Sequence, residues 1–202
     1  HKLTKSIKTS MRQTELLISL KNLKNNLQII KSKTSSDIQA VIKANAYGLG
    51  YEEVVECIEN DVESFAVITL NEAISLRKHT KKPITLLQGV HEISDYDYIE
   101  KYNLDFVVHT HWQVENLSKF NLNQSRIWFK LNTGMNRLGF DQKDFGDVYE
   151  KLKSLKAKDL IIMSHLAASS EPENKLNNAQ IKLFNEITAG TINKKSLANS
   201  GA

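Results

Sequence analysis

Cysteine is nearly absent: Cys57 is the only one in 202 residues. A single thiol excludes a disulfide framework and a thiolate metal site, and no metal is expected. It also fits a reducing cytoplasm. No apolar run approaches the roughly 20 residues that a bilayer-crossing helix needs, so no membrane is expected as a partner. His1 to Met11 is polar and basic without a hydrophobic centre, which excludes a secretory signal. Residues 1–12 read as a tag remnant (His1) or a poorly ordered lead-in. Neither charge sign dominates, since 27 Lys and Arg face 23 Asp and Glu for a net charge of +4. That excess is spread along the chain. No basic cluster alternates with aromatics, so no nucleic-acid partner is expected. Low-complexity tracts, linkers and solenoid repeats are missing too. With 41% hydrophobic and 25% charged residues, the composition is that of an ordinary globular domain. Its length allows one sizeable domain or a large part of an α/β barrel.

Apolar spacing alternates between two periods. Gln13 to Ser19 predicts a strand, and Leu20, Leu23, Leu27 and Ile30 predict a helix. Ser35-Ser36-Asp37 breaks it, and an apolar strand follows from Ile38 to Lys43. Helical patterns are expected from Tyr51 to Glu59, Asn71 to His79, Asp95 to Lys101, Trp112 to Phe120, Lys143 to Leu155 and Leu176 to Ile187. Between them, short apolar runs predict strands at Phe65 to Ile68, Ile84 to Gln88, Leu104 to Val108, Arg126 to Leu131, Leu160 to Ser164 and Ser196 to Asn199. Strands alternating with helices argue for βαβ units and a parallel sheet. Seven strands from Ile38 onward leave two architectures open: an open doubly wound sheet, or a (β/α)8 TIM-type barrel without its last strand. In either, active sites lie at the carboxyl ends of the strands.

Unusual polar residues gather at those ends. Lys43 ends the first strand, in Val41-Ile42-Lys43-Ala44-Asn45-Ala46-Tyr47-Gly48. A lysine in apolar surroundings loses part of the stability of its charged form. The neutral amine then becomes available as a nucleophile, as a Schiff-base lysine requires. A lysine at a strand end also snorkels to solvent in many proteins, and the local sequence does not choose. Lys130 ends the fifth strand, followed by Asn132-Thr133-Gly134-Met135-Asn136-Arg137-Leu138-Gly139. His165 ends the sixth. Asn199-Ser200-Gly201 end the seventh with small residues whose backbone N–H groups suit an anion. Each has a plain alternative, since Thr133-Gly134 could be only a turn and a lone histidine only a hydrogen-bonded core residue. Four such features at the same end of four strands argue for a site.

Two of these stretches resemble signatures of alanine racemases. Lys43-Ala44-Asn45-Ala46-Tyr47-Gly48 is similar to their pyridoxal-phosphate attachment segment. Lys130-Leu131-Asn132-Thr133-Gly134-Met135-Asn136-Arg137-Leu138-Gly139 resembles their second signature, where aspartate often stands at the place of Asn132. Ser164-His165 with Ala167, and Ala198-Asn199-Ser200, resemble two further segments. Weaker likeness lies in Glu72-Ala73, Arg77 and Gln180. The resemblance implies that Lys43 holds pyridoxal 5'-phosphate as an internal aldimine and then serves as one of two acid/base groups. It places Tyr47, Ser200 and Asn199 about the phosphate. It sets Arg137 near the phenolic oxygen and the substrate carboxylate, and His165 beside the ring. Leu87 lies against the cofactor in the same reading, and Lys130 corresponds to a lysine that is often carbamylated.

The same resemblance implies an L- and D-alanine racemase supplying D-alanine for peptidoglycan, a cytoplasmic homodimer in its full length. Members of that family are considerably longer. The expectation is therefore an N-terminal barrel portion over 1–202, inactive alone, without the eighth strand and the C-terminal β domain that brings the opposing tyrosine. The alternatives are a single-domain protein that binds the cofactor without catalysis, and a racemase of broader specificity that takes serine or other amino acids.

Overall fold

The computed structural model describes the backbone of residues 3–9 and 12–202, with side chains from Leu16 onward. The expected tag remnant at His1 lies outside the described residues. Strands β1 (Leu3–Thr9) and β2 (Arg12–Ile18) pair antiparallel. β1 falls in the stretch that reads from sequence as a lead-in. Helix α1 (Leu20–Lys33) follows. Ser19 caps it by accepting the Asn22 N–H at 3.3 Å, and Lys31 and Lys33 sit in its last turn, where the helix dipole favours cations.

A parallel sheet holds the remaining strands: β3 (Gln39–Val41), β4 (Ser64–Val67), β5 (Ile84–Leu86), β6 (Asp105–Val108), β7 (Arg126–Lys130), β8 (Asp159–Met163) and β9 (Lys195–Ser196). Its order is β3-β4-β5-β6-β7-β8-β9, with every neighbour consecutive in sequence. A doubly wound sheet reverses its order at a switch point, and this one never does. It also curls. Laid flat at roughly 4.8 Å per strand, the edges of such a sheet would lie about 29 Å apart. Instead Lys194, just ahead of β9, places its Nζ 2.9 Å from Oδ2 of Asp37, just ahead of β3. The sheet is an incomplete (β/α)8 barrel.

Alternation along each strand separates two apolar layers. Phe65, Ile84, Phe106, Ile127, Phe129 and Ile162 face outward into the main core, where Val55, Leu76, Ile99 and Leu117 of the helices meet them. Val107, Trp128, Ile161 and Met163 face inward, with Leu87 against them. Six helices of the outer ring are α3 (Tyr51–Ile58), α4 (Leu70–Leu76), α5 (Asp95–Lys101), α6 (His111–Leu117), α7 (Phe145–Lys153) and α8 (Lys175–Ile187). α2 (Lys43–Tyr47) is a different object, a single turn that follows β3.

Arg77 clips the face opposite the strand carboxyl ends. Its guanidinium donates to the carbonyls of Tyr102 (3.0 Å), Thr80 (3.1 Å), Lys82 (2.7 Å) and Asn103 (3.0 Å). Arg77→Ala leaves these acceptors unmet and should lower unfolding stability by about 2–3 kcal/mol. Arg77→Lys should recover only part, because a point charge cannot replace the planar fork. Urea denaturation of the three proteins checks the order.

Candidate active site at the strand carboxyl ends

The segment after β3 is wound the wrong way. Ala44, Asn45, Ala46 and Tyr47 have φ of +51°, +55°, +53° and +56°, one turn of left-handed helix built from residues that carry a Cβ. Each costs roughly 1–2 kcal/mol relative to the right-handed form. Backbone bonds partly offset this, from Ala46 N to the Ile42 carbonyl (2.8 Å) and from Gly48 N to the Ala44 carbonyl (3.0 Å). Side chains add to them. Asn45 Oδ1 accepts the Tyr51 N–H at 3.0 Å, and Glu72 Oε1 accepts the Ala44 N–H at 2.7 Å. β3 itself is three residues long, so Lys43 stands two residues beyond its end rather than terminating it. Lys43 is half-buried, with its amine 5.9 Å from the centre of the exposed Tyr47 ring. It acts electrostatically on both Lys130 and His165.

The loop carrying Arg137 closes on itself. Phe140 N donates to the Lys130 carbonyl (2.9 Å) and Asn132 N to the Phe140 carbonyl (2.8 Å). Gly139 passes so close that a Cβ there would meet Asn132 N at 2.7 Å, and its φ of +125° also favours glycine. Asn132 fills the loop. Its Oδ1 accepts Gly134 N (3.2 Å) and Asn136 N (3.0 Å), while Nδ2 donates to Asn136 Oδ1 (3.0 Å) and Asp141 Oδ1 (3.3 Å). An aspartate could serve the two N–H donors but not the two oxygens, so the asparagine belongs with Asp141. Arg137 itself is exposed at the tip.

Beneath this loop lies a buried polar chain with one possible direction. Ser164 Oγ donates to the Leu131 carbonyl (2.8 Å), so the Thr133 hydroxyl must donate to Ser164 Oγ (2.8 Å), and Gln180 Nε2 donates to Thr133 Oγ1 (3.3 Å). Gln180 also donates to the His165 carbonyl (3.0 Å) and accepts Ala167 N–H (2.9 Å). Fully buried on α8, it ties the Arg137 loop to the His165 loop.

The inward alternation of the strands continues into the site. Counting by twos, Gln39 and Val41 lead to Lys43, Arg126 and Trp128 to Lys130, and Ile161 and Met163 to His165. β6 obeys the same rule, and Asp105 and Val107 lead to His109. The sequence reading passed over His109, although its place at the end of the fourth barrel strand gave the same signal. Its Nε2 lies 2.9 Å from the Gln88 carbonyl, which requires a proton on that nitrogen. Burial, together with Lys130 and His91, outweighs the Gln88 bond and lowers its pKa. Burial first, then Lys130, Arg137 and Lys43, lowers that of His165 as well. Lys130 is only 6% exposed, and burial with Arg137 and Lys43 brings its amine down to about 8. Among the described residues, the charged groups that act on Lys130 and His165 are cations. Such a cluster suits an anion.

The sign of the pH effect follows. Lys130 is charged below about pH 8 and neutral above it. Its folded value lies under the unfolded one, so it opposes folding at neutral pH, and stability rises as pH passes through 8. Anion binding runs the other way. Affinity for sulfate, whose charge is constant in this range, should fall about tenfold between pH 7 and 9. Lys130→Met should flatten that dependence, as calorimetric titration at each pH would show.

The remaining expected site residues are less concentrated. Leu87 packs on the inner layer. Asn199 Oδ1 accepts the Ser169 hydroxyl (2.6 Å) and Gly201 N (3.1 Å), and its Nδ2 reaches the Leu166 carbonyl at 3.3 Å. Ser200 is exposed in the following turn. Among the described residues, no three His, Cys, Asp or Glu side chains group so as to hold a metal ion. Nor is any described helix long and apolar enough to cross a membrane.

The family profile described as "Alanine racemase, N-terminal domain" matches residues 18–202. This chain belongs to the alanine racemase family. An alanine racemase of Neisseria meningitidis serogroup A is 37% identical over 195 residues, covering 95% of this chain and 55% of the relative. One from Shewanella oneidensis is 36% identical over 188 residues, covering 91% and 52%. Among solved structures, the biosynthetic alanine racemase of Pseudomonas aeruginosa superposes with a TM-score of 0.85 at 34% identity, covering 91% of this chain and 52% of that one. The chain spans about half the length of the curated relatives it matches.

Proposed function

We propose that the full-length protein interconverts L- and D-alanine, with pyridoxal 5'-phosphate carried on this barrel by Lys43. The supporting observation is the cationic cluster at the strand carboxyl ends, in which Lys43, Arg137 and Lys130 all act on His165. Its donor set fits the cofactor: cations for a phosphate and a phenolic oxygen. When bound, that group withdraws electrons from the substrate α-carbon so that its proton can leave.

The chain's own residues divide the work. Lys43 holds the cofactor and moves a proton at its amine on one side of the α-carbon. Arg137, with its planar fork of donors, receives the substrate carboxylate and the cofactor oxygen. Tyr47, Asn199 and Ser200 serve the phosphate, Leu87 excludes water, and His165 lies against the ring. Lys130, whose neutral amine is populated near pH 8, is the amine suited to take up carbon dioxide as a carbamate. That converts one cation of the cluster into an anion that would orient Arg137. The opposing base is proposed to come from a tyrosine of the partner in a homodimer, so residues 1–202 alone should not turn over. D-alanine for peptidoglycan, made in the cytoplasm, is the proposed role.

The test adds pyridoxal phosphate to the full-length protein. Reduction with borohydride should trap the cofactor on Lys43, and exchange of D- and L-alanine should exceed that of serine and lysine. Trapping at another residue would overturn the assignment of the site, and equal exchange of all three amino acids that of the substrate.

A further inference from the structure

Glu72 accepts two more bonds than its capping box requires. Thr69 and Glu72 form a capping box at the start of α4, in which Thr69 Oγ1 accepts Glu72 N (3.2 Å) and Glu72 Oε2 accepts Thr69 N (3.0 Å). Oε2 also accepts Ile68 N at 3.0 Å. The box needs one carboxylate oxygen. The other, Oε1, leaves the helix and accepts the N–H of Ala44 at 2.7 Å, the shortest of these contacts. Ala44 is both the residue after Lys43 and the first of the left-handed turn. We propose that Glu72 is the positioning residue of Lys43, fastening the strained lysine turn to the β4–α4 cap and so fixing the direction in which the amine leaves the backbone.

This inference rests on the reading of Lys43 as cofactor carrier. Physical chemistry favours the carboxylate for the task. Burial works to raise the Glu72 carboxyl, but the N–H groups of Thr69, Ala44 and Ile68 outweigh it and hold it below its ordinary range. It is therefore ionised at neutral pH, and a charged acceptor makes a shorter and stronger bond than a neutral one. A glutamine has the same length but only one oxygen. Its NH2 must face either Ala44 N–H or the N–H pair of the cap. An aspartate keeps the charge and loses the reach.

The experiment compares Glu72→Gln with Thr69→Ala in the full-length protein. Both weaken the capping box, and only the first touches the contact to Ala44. Amide exchange across residues 44–50 should accelerate about tenfold in Glu72→Gln and stay unchanged in Thr69→Ala. Affinity for pyridoxal phosphate, read from its absorption on titration, should weaken about tenfold in the first variant only. Glu72→Asp should follow Glu72→Gln. Equal effects in Glu72→Gln and Thr69→Ala would reduce Glu72 to a helix cap and overturn the proposal, as would no effect in either. If the wild-type protein failed to trap the cofactor on Lys43, the functional reading would fall, while the exchange comparison would still decide whether Glu72 fastens the turn.

Discussion

Lys43→Ala should abolish covalent capture of pyridoxal phosphate while leaving the fold intact. The side chain is half-buried and lies outside both apolar layers, so its removal should change stability by no more than about 0.5 kcal/mol. Its loss also removes one cation from the cluster. Lys130 and His165, each pushed down partly by Lys43, should both titrate higher in the variant. The competing outcome is specific. Lys130 is the buried amine whose proton is lost near pH 8, and on acidity alone it is a rival nucleophile. Geometry argues against it: Lys130 closes β7 and is 6% exposed, whereas Lys43 sits on a turn open toward Tyr47. Borohydride reduction, digestion and mass spectrometry distinguish the two. An adduct on Lys130 in wild-type protein, or an undiminished absorption band in Lys43→Ala, would overturn the assignment.

Gln180→Glu should give the largest loss of stability. The side chain is fully buried and uses both ends of its amide, accepting Ala167 N–H and donating to Thr133 Oγ1 and the His165 carbonyl. A carboxylate can do only the first. The other two contacts become oxygen against oxygen, in a fully buried place. Breaking a buried charged or polar set in this way costs about 3–5 kcal/mol, which for a domain of this size is roughly 10 °C in Tm. The Thr133–Ser164–Leu131 chain loses its first donor, so the Arg137 loop should loosen together with the His165 loop. Gln180→Met fills the space without adding charge and should cost less, about 1–3 kcal/mol from the unmet partners. Burial also raises the pKa of the carboxyl introduced by Gln180→Glu, so the deficit of that variant should narrow as pH falls and the group takes up a proton. Thermal unfolding at pH 5 and pH 8 checks the order of the variants and this pH trend.

Much of the architecture was legible because the barrel strands and ring helices carry local signals. The apolar run Ile127-Trp128-Phe129 and the helical spacing of Leu176, Leu183 and Ile187 are local facts, and both elements form near where they were expected. Lys43, Lys130, His165 and Asn199 could be grouped for the same reason, since a strand end is a position in sequence. The partners of these residues could not be read. Glu72 is 28 positions from Ala44, and Gln180 is 47 from Thr133. No periodicity links such pairs. The left-handed turn was also hidden, because alanine and tyrosine disfavour it, asparagine merely tolerates it, and surrounding bonds hold it there.

By itself, then, the sequence determined an alternating α/β chain with basic and small polar residues at its strand ends, and a resemblance through two signature segments. Tertiary structure decided the rest. It chose a curled barrel over a doubly wound sheet, because strand order and the Lys194–Asp37 contact are properties of the closed arrangement. It also made Lys43, whose surroundings the local sequence left open, one member of a cationic cluster. Charges distant in sequence act on one another only when curvature brings the ends of β3, β7 and β8 to one face.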